Sequence, residues 1–136
     1  DINAELINTY TIIRDDIDTL LDVLRRFESD YLVLDNDGRK EAYLAKRARF
    51  NELKSKKENG VELAALMIFL NKTCFNGLYR VNRKGEYNVP MGAYKNPLIC
   101  NEHNLKIALI KYLQTPQDLS TSKNLRQLTI LTVLQV

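Results

Sequence analysis

Residues 71–82 place side chains that can contact nucleic-acid bases around a single glycine, Gly77. Arg80 can donate two parallel hydrogen bonds to O6 and N7 of guanine, and the asparagines of this stretch can bond base edges or phosphates. Phe75, on the tight turn that Gly77 indicates, can insert between stacked bases. The same pattern also fits a hairpin whose aromatic side chains belong to a core, so composition alone leaves both interpretations open.

No cluster of residues predicts catalysis by this chain. The single histidine, His103, has no serine or cysteine arrangement that indicates a nucleophilic site. The four acids of residues 15–22 are typical of a solvated helix surface rather than of a metal site. A glycine-rich loop that could hold phosphates is also missing from the sequence. We therefore expect no catalytic residue and no metal ligand here.

Two cysteines, Cys74 and Cys100, occur in a chain without secretory features, so reduced thiols are expected. A disulfide between them is one alternative. A zinc site that adds His103 is another, although the spacing does not show the paired ligands typical of such sites.

Charge is distributed unevenly along the 136 residues, although the net charge is only +3. Residues 1–37 carry a net charge of −7, residues 38–57 of +6 and residues 71–97 of +4. Such a distribution fits a protein that meets a polyanion with one face, and solvated helix faces are the alternative. The longest apolar runs are too short to span a membrane, and a cytoplasmic location is expected.

Apolar periodicity predicts helices over residues 4–14, 16–27, 39–57, 61–74 and 101–114. Asn3 is the expected N-cap of the first helix, and Asp15 or Asp16 that of the second. Residues 35–38 are typical of a turn, and Asn59-Gly60 should end the third helix. The fourth helix is apolar on more than one side and should be buried.

Glycines and prolines change the character of the chain after residue 75. Residues 79–89 predict a short β-hairpin whose tip, Arg83-Lys84-Gly85-Glu86, is basic. Residues 117–124 are typical of a polar linker, and residues 125–136 predict a strand.

A nearly unbroken run of about thirty residues resembles the target-recognition segment of Dam-type (D12 class) DNA adenine-N6 methyltransferases. The run comprises Phe69-Leu70-Asn71-Lys72-Thr73-Cys74-Phe75-Asn76-Gly77-Leu78-Tyr79-Arg80-Val81-Asn82, then Gly85-Glu86-Tyr87-Asn88-Val89-Pro90-Met91-Gly92 and Tyr94-Lys95-Asn96-Pro97. Asp1-Ile2-Asn3-Ala4-Glu5-Leu6-Ile7 looks like the second cofactor motif of that family. Arg47-Ala48-Arg49-Phe50-Asn51 looks like the short motif that precedes the recognition segment.

The resemblance implies an α/β, Rossmann-like methyltransferase of which this chain is an internal fragment, mainly α-helical with one β-hairpin. Residues 1–3 would end a cofactor-binding strand, residues 4–114 would form a helical target-recognition domain, and residues 115–136 form a tail that does not resemble the family. The implied partner is double-stranded DNA, with a GATC-like site, in a bacterial or phage restriction-modification or Dam context.

The resemblance also implies roles for individual residues. Asp1 would bond the ribose hydroxyls of S-adenosylmethionine, and Ile2 would lie against its adenine. Phe75 would insert into the DNA stack when the target adenine is flipped out, with Asn76 beside the vacated site. Arg80 would recognise guanine, and Leu78 and Pro90 would form apolar contacts to thymine. Asn82 and Asn88 would support the loop or the DNA backbone. The expected phosphate contacts are Lys72, Arg83, Lys84 and Lys95.

The sequence departs from the family pattern at several points. Phe75 stands where tyrosine is usual, and Ala93 stands where many members carry a basic residue. The glycine-rich cofactor motif and the Asp-Pro-Pro-Tyr motif are absent, so this chain is expected to be inactive by itself. The alternatives are a stand-alone or relic DNA-binding module without catalysis, and a helical interaction protein without a nucleic-acid role.

Overall fold

The computed structural model describes residues 3–114, which form five α-helices and one short 3-10 turn. The helices are α1 (Ala4–Asp15), α2 (Ile17–Leu32), α3 (Asn36–Lys56), α4 (Val61–Thr73) and α5 (Glu102–Gln114), and the 3-10 turn is Phe75–Gly77. None of the helices in this range is long and apolar enough to cross a membrane. The predicted linker at 117–124 and the predicted strand at 125–136 lie outside the described residues.

Helix α4 forms the centre of the bundle, as its apolar composition predicted. Every side chain from Leu63 to Leu70 is buried, and α4 contacts α1, α2 and α3. The ring of Phe69 packs edge-on against the rings of Phe27 and Tyr31 of α2. Because α4 has other helices on three sides, its hydrophobic residues are not confined to one face. The neighbouring helices are positioned around α4.

The predicted caps are partly confirmed. The amide of Leu6 donates to Asn3 Oδ1 at 3.0 Å, so Asn3 caps α1 as predicted. Asp16 stands at the N-cap position of α2, but its carboxylate accepts a hydrogen bond from the Thr19 hydroxyl rather than from a backbone amide.

The predicted turn at residues 35–38 is wrong, because these residues begin α3. The amide of Gly38 donates to Asp35 Oδ1 at 2.8 Å, which makes Asp35 the N-cap of the helix. Aspartate and asparagine favour turns and helix N-caps for the same reason, since their side chains accept hydrogen bonds from nearby amides. Helix α3 is therefore longer than predicted, at 21 residues.

The predicted β-hairpin at 79–89 is not supported, because the described residues contain no strand. Only two isolated antiparallel bridges occur there, Val81 with Tyr87 and Cys74 with Met91. The two runs share few backbone hydrogen bonds, from the Asn82 amide to Glu86 O at 2.9 Å and from the Asn88 amide to Arg80 O at 3.2 Å. Side chains supply further bonds to this backbone. The amides of Lys84 and Glu86 donate to Asn82 Oδ1, and the amide and carbonyl of Tyr87 bond the side chain of Asn51 on α3.

Candidate nucleic-acid interface

The segment after α4 projects a phenylalanine into solvent. Asn76 and Gly77 have φ angles of 53° and 61°, in the left-handed region that asparagine and glycine tolerate best. This backbone turns the chain sharply after Cys74 and leaves the side chain of Phe75 51% exposed. We call residues 75–80 the Phe75 loop. Such exposure of a large apolar ring on a tight turn fits insertion between bases.

A second segment supports the Phe75 loop through backbone hydrogen bonds. We call residues 86–92 the return segment. The amide of Phe75 donates to Pro90 O at 2.8 Å, and the amide of Gly92 donates to Thr73 O at 2.8 Å. A Cβ atom on Gly92 would lie 2.8 Å from Cys74 O, so only glycine permits this close approach. The end of α4 and the return segment therefore hold the loop at a fixed position.

Two buried groups bond the backbone in the middle of the loop. The Cys74 thiol donates to Leu78 O at 3.4 Å, and the Tyr87 hydroxyl donates to the same oxygen at 3.1 Å. Burial raises the pKa of both groups, so both keep their protons at neutral pH and remain donors. Leu78 itself is 44% exposed, on the surface that carries Phe75, and Pro90 is also exposed.

Arg80 is held by Asn88 across the two segments. Its Nε donates to Asn88 Oδ1 at 2.9 Å, and the amide of Asn88 donates to Arg80 O at 3.2 Å. Nη2 also donates to Asn88 O, at 3.5 Å. Nη1 and the second hydrogen of Nη2 are then the donors that can meet a guanine edge.

Asn82 shapes the turn that follows. Its Oδ1 accepts hydrogen bonds from the amides of Lys84 and Glu86 at 2.9 and 3.0 Å, and its Nδ2 donates to Glu86 Oε2 at 3.2 Å. These bonds leave Arg83 and Lys84 exposed at the tip. The side chain of Asn82 is thus used within the protein.

Four polar residues on one face of α3 form hydrogen bonds to the Phe75 loop, the return segment and the turn between them. None of the four was predicted as a DNA-binding or cofactor-binding residue. Tyr43, Arg47, Asn51 and Lys54 are spaced by four, four and three residues, which places them on one helix face. The Tyr43 hydroxyl and Arg47 Nη1 both donate to Val89 O, at 2.7 and 3.1 Å.

Asn51 and Lys54 continue the row toward the tip. Asn51 Nδ2 donates to Tyr87 O at 3.0 Å, and the amide of Tyr87 donates to Asn51 Oδ1 at 2.8 Å. Lys54 Nζ donates to Gly85 O at 2.9 Å and to the Tyr79 hydroxyl at 3.1 Å. We call these four side chains the α3 brace. The 3.6-residue spacing of polar side chains on α3 was the available signal in the sequence.

Cations that could meet phosphates surround the Phe75 loop. Arg83, Lys84 and Lys95 are exposed and form no ion pair with any residue in the described range 3–114. Some basic residues elsewhere are neutralised, since Arg49 pairs with Glu52 and Glu62. Unpaired positive charge is therefore present near the loop, although exposed cations such as Lys40 also lack an ion pair within residues 3–114.

Lys72 has a different environment from these surface cations. It is half-buried, and burial lowers the pKa of its ammonium group. It lines an open groove of about 850 Å³ whose wall also includes Asn76, Tyr94 and Lys95. A partly desolvated ammonium without a carboxylate partner in the described part of the chain favours the approach of an anion such as phosphate.

The residues singled out from the sequence between Lys72 and Lys95 include two sets that line different open grooves, Lys72, Asn76 and Lys95 in one and Asn82, Lys84 and Asn88 in the other. Asp1 and Ile2, the two expected cofactor contacts, lie outside the described residues. An exposed ring, an exposed arginine and cations without an ion pair in residues 3–114 are kinds of group that DNA-binding faces present.

The family model for D12 class N6 adenine-specific DNA methyltransferases matches residues 1–127 of the chain. The chain belongs to this family. The matched range extends past residue 114 and includes part of the predicted tail at residues 115–136. Methyltransferases of this family have a Rossmann-like fold, and residues 3–114 form a mainly helical part of it.

Curated relatives agree with the family assignment. The chain is 49% identical over 106 residues to the type II methyltransferase M.MjaIII of Methanocaldococcus jannaschii, an alignment that covers 78% of the chain and 36% of that relative. It is 40% identical over 97 residues to the DNA N-6-adenine-methyltransferase of Escherichia phage P1, covering 71% of the chain and 12% of the relative. It is also 35% identical over 97 residues to the DNA adenine methylase of Escherichia coli K12, an alignment that covers 71% of the chain and 32% of that relative. The chain thus spans roughly a third or less of the length of these relatives.

Proposed function

We propose that this chain is the DNA-recognition portion of a site-specific DNA adenine-N6 methyltransferase that acts on a GATC-like site. The observation that carries the proposal is the Phe75 loop, which presents Phe75, Leu78 and Arg80 to solvent from a backbone bonded on both sides. A loop whose side chains are exposed but whose backbone is held loses little entropy on binding. Family membership makes double-stranded DNA the partner that this surface fits.

Each exposed group has a distinct task in this proposal. The ring of Phe75 fills the gap that opens when the target adenine leaves the stack, and Asn76 lies beside that gap. Arg80 donates its terminal nitrogens to O6 and N7 of guanine. Leu78 and Pro90 contact the methyl group of thymine, and Asn88 holds Arg80.

The cations contribute affinity rather than sequence preference. Lys72, Arg83, Lys84 and Lys95 each neutralise a phosphate on the strands that flank the site, and Asn82 shapes the backbone between them. Phosphate neutralisation releases counterions, so binding weakens as the salt concentration rises.

The cofactor side of the proposal involves the first residues of the chain. Asp1 and Ile2 directly precede Asn3, the cap of α1, and would bind the ribose and the adenine of S-adenosylmethionine. When bound, this cofactor supplies the methyl group. The chain's own described residues would bind and orient the DNA.

The proposal is tested by binding, because this chain is expected to be inactive by itself. A short duplex that contains GATC should bind the chain more tightly than one in which the guanine is replaced. Fluorescence anisotropy measures both affinities over a range of salt concentrations. Equal affinity for all duplexes, or binding that does not weaken with salt, would favour an interaction protein without base recognition.

A further inference from the structure

We propose that Asn51 of α3 is a positioning residue for Arg80, and that it helps to set the preference for guanine. The inference rests on the proposed function, because it concerns how the guanine-contacting arginine is held. Asn51 belongs to the motif at residues 47–51, for which the sequence indicated no task. Asn51 lines an open groove together with Asn82 and Asn88, and its side chain bonds the return segment at Tyr87.

Asn51 bonds the peptide backbone of Tyr87 at two points. Its carboxamide oxygen accepts from the Tyr87 amide at 2.8 Å, and its carboxamide nitrogen donates to Tyr87 O at 3.0 Å. These are the two bonds that a neighbouring strand would form with Tyr87. Because both bonds are partly buried, water replaces them poorly, and the orientation of this peptide is fixed by α3.

The position of Tyr87 determines that of the next residue, Asn88. Asn88 in turn accepts the hydrogen bond from Arg80 Nε at 2.9 Å and donates its amide to Arg80 O at 3.2 Å. On its other side, Val89 O accepts hydrogen bonds from two further members of the α3 brace. Asn88 is therefore held by its neighbours on both sides. Arg80 is connected to α3 through two hydrogen-bonded steps, Arg80 with Asn88 and Tyr87 with Asn51, which the Tyr87–Asn88 peptide bond joins.

The part of α3 that carries Asn51 is tightly packed. Phe50, next to Asn51, is 1% exposed, and its ring packs edge-on against the Tyr87 ring with a centroid distance of 5.9 Å. Leu53 is also buried, and α3 packs along α4. A group that must donate two hydrogen bonds to a base edge gains accuracy when its supports belong to packed helices rather than to mobile loops.

A purely stabilising role for Asn51 predicts a different result from a positioning role. Loss of stability alone would lower binding to all duplexes in proportion to the unfolded fraction. Loss of positioning would change the ratio between the affinities for duplexes with and without the guanine, since only the correct base uses the orientation of Arg80. The ratio therefore separates the two roles.

The chain contains a matched control in Asn8. Its side chain bonds the backbone of Gly60 in the same way, with Nδ2 donating to Gly60 O at 2.9 Å and the Gly60 amide donating to Oδ1 at 2.9 Å. Gly60 is the N-cap residue of α4, at the end opposite the Phe75 loop. Removing this side chain breaks an equivalent pair of hydrogen bonds without touching the return segment.

The experiment measures the affinity of the intact protein for a GATC duplex and for a duplex with the guanine replaced. Asn51→Ala should lower the affinity ratio by about five- to tenfold, a part of what one two-point contact to guanine contributes. Asn8→Ala should lower the melting temperature to a similar extent and leave the ratio unchanged. A wild-type ratio in Asn51→Ala would overturn the proposal, and so would an equal loss in both variants.

A second variant covers the case in which Asn51→Ala does not fold. Asn51→Asp keeps the acceptor for the Tyr87 amide but replaces the donor by a carboxylate oxygen that repels Tyr87 O, so it should also reduce the ratio, by at least about threefold. An unchanged ratio in folded Asn51→Asp would also count against positioning.

If the wild-type protein itself shows no preference for guanine, the proposed function fails first. If the preference exists and depends on Arg80 but not on Asn51, only this inference fails.

Discussion

Nε of Arg80 donates a hydrogen bond to Oδ1 of Asn88 at 2.9 Å, and this bond joins the Phe75 loop to the return segment. Nη2 also donates to Asn88 O, at 3.5 Å, so these bonds fix the guanidinium and leave Nη1 and the second hydrogen of Nη2 for an external acceptor. An arginine that is restrained in this way loses fewer rotamers when it binds a base.

Replacing Asn88 by alanine should therefore weaken guanine recognition while Arg80 remains. We expect the preference for the GATC duplex to decrease by about 0.5–1.5 kcal/mol, the usual contribution of one hydrogen bond. Affinities of Asn88→Ala for the two duplexes, measured by anisotropy, test this expectation. An unchanged preference would mean that the guanidinium is oriented by the DNA alone.

Gly92 should tolerate no side chain. In Gly92→Ala the new methyl group would lie 2.8 Å from Cys74 O and 2.5 Å from Tyr94 Cε2. The chain must shift to relieve this overlap, at a cost of about 1–3 kcal/mol. Urea denaturation measures the loss, with the exposed Ala93→Ser as the control. A midpoint equal to that of the control would show that the approach of the return segment to α4 is less tight than described.

Arg83 should contribute to affinity for DNA without contributing to base preference. In Arg83→Ala the slope of log K against log salt should become smaller by about 1, with equal losses on all duplexes. Arg49→Ala is the control, because that arginine already pairs with Glu52 and Glu62. A change in base preference on loss of Arg83 would contradict its assignment to phosphate.

Stability should decrease at high pH through the buried tyrosines. Burial raises the pKa of Tyr43 from 10.0 to about 12. Because the folded state holds this proton more tightly, the stabilisation is complete below pH 10 and is lost as the pH rises through 12. Urea midpoints should fall over that range. The fall should be smaller in Tyr43→Phe, although not abolished, since burial also raises the pKa of Tyr87.

The sequence predicted the helices well because their apolar spacing follows the packing around α4. The predictions that were wrong or unsupported have physical reasons. Asp35 looked like part of a turn because aspartate accepts from amides in turns and in helix caps alike. The hairpin was predicted from two extended runs around a glycine. These runs do approach each other, but they share one isolated bridge, Val81 with Tyr87, and much of the remaining backbone bonding comes from the side chains of Asn51 and Asn82.

The candidate surface was predictable as a set of residues but not as an arrangement. Family resemblance indicated Phe75, Arg80 and the nearby cations directly. The α3 brace was not predicted, because its side chains bond backbone atoms that lie 31 to 46 residues further along the chain, and a backbone carbonyl has no signature in the sequence. Only the fold shows that these positions meet.

The central claim, that Arg80 recognises guanine, is tested most directly by Arg80→Ala in the intact protein. Affinities are measured for a GATC duplex and for one in which the guanine pair is replaced. We predict that the wild type prefers the first duplex and that the variant loses about 1–3 kcal/mol of that preference while keeping its affinity for the second. Full preference in folded Arg80→Ala would contradict the account.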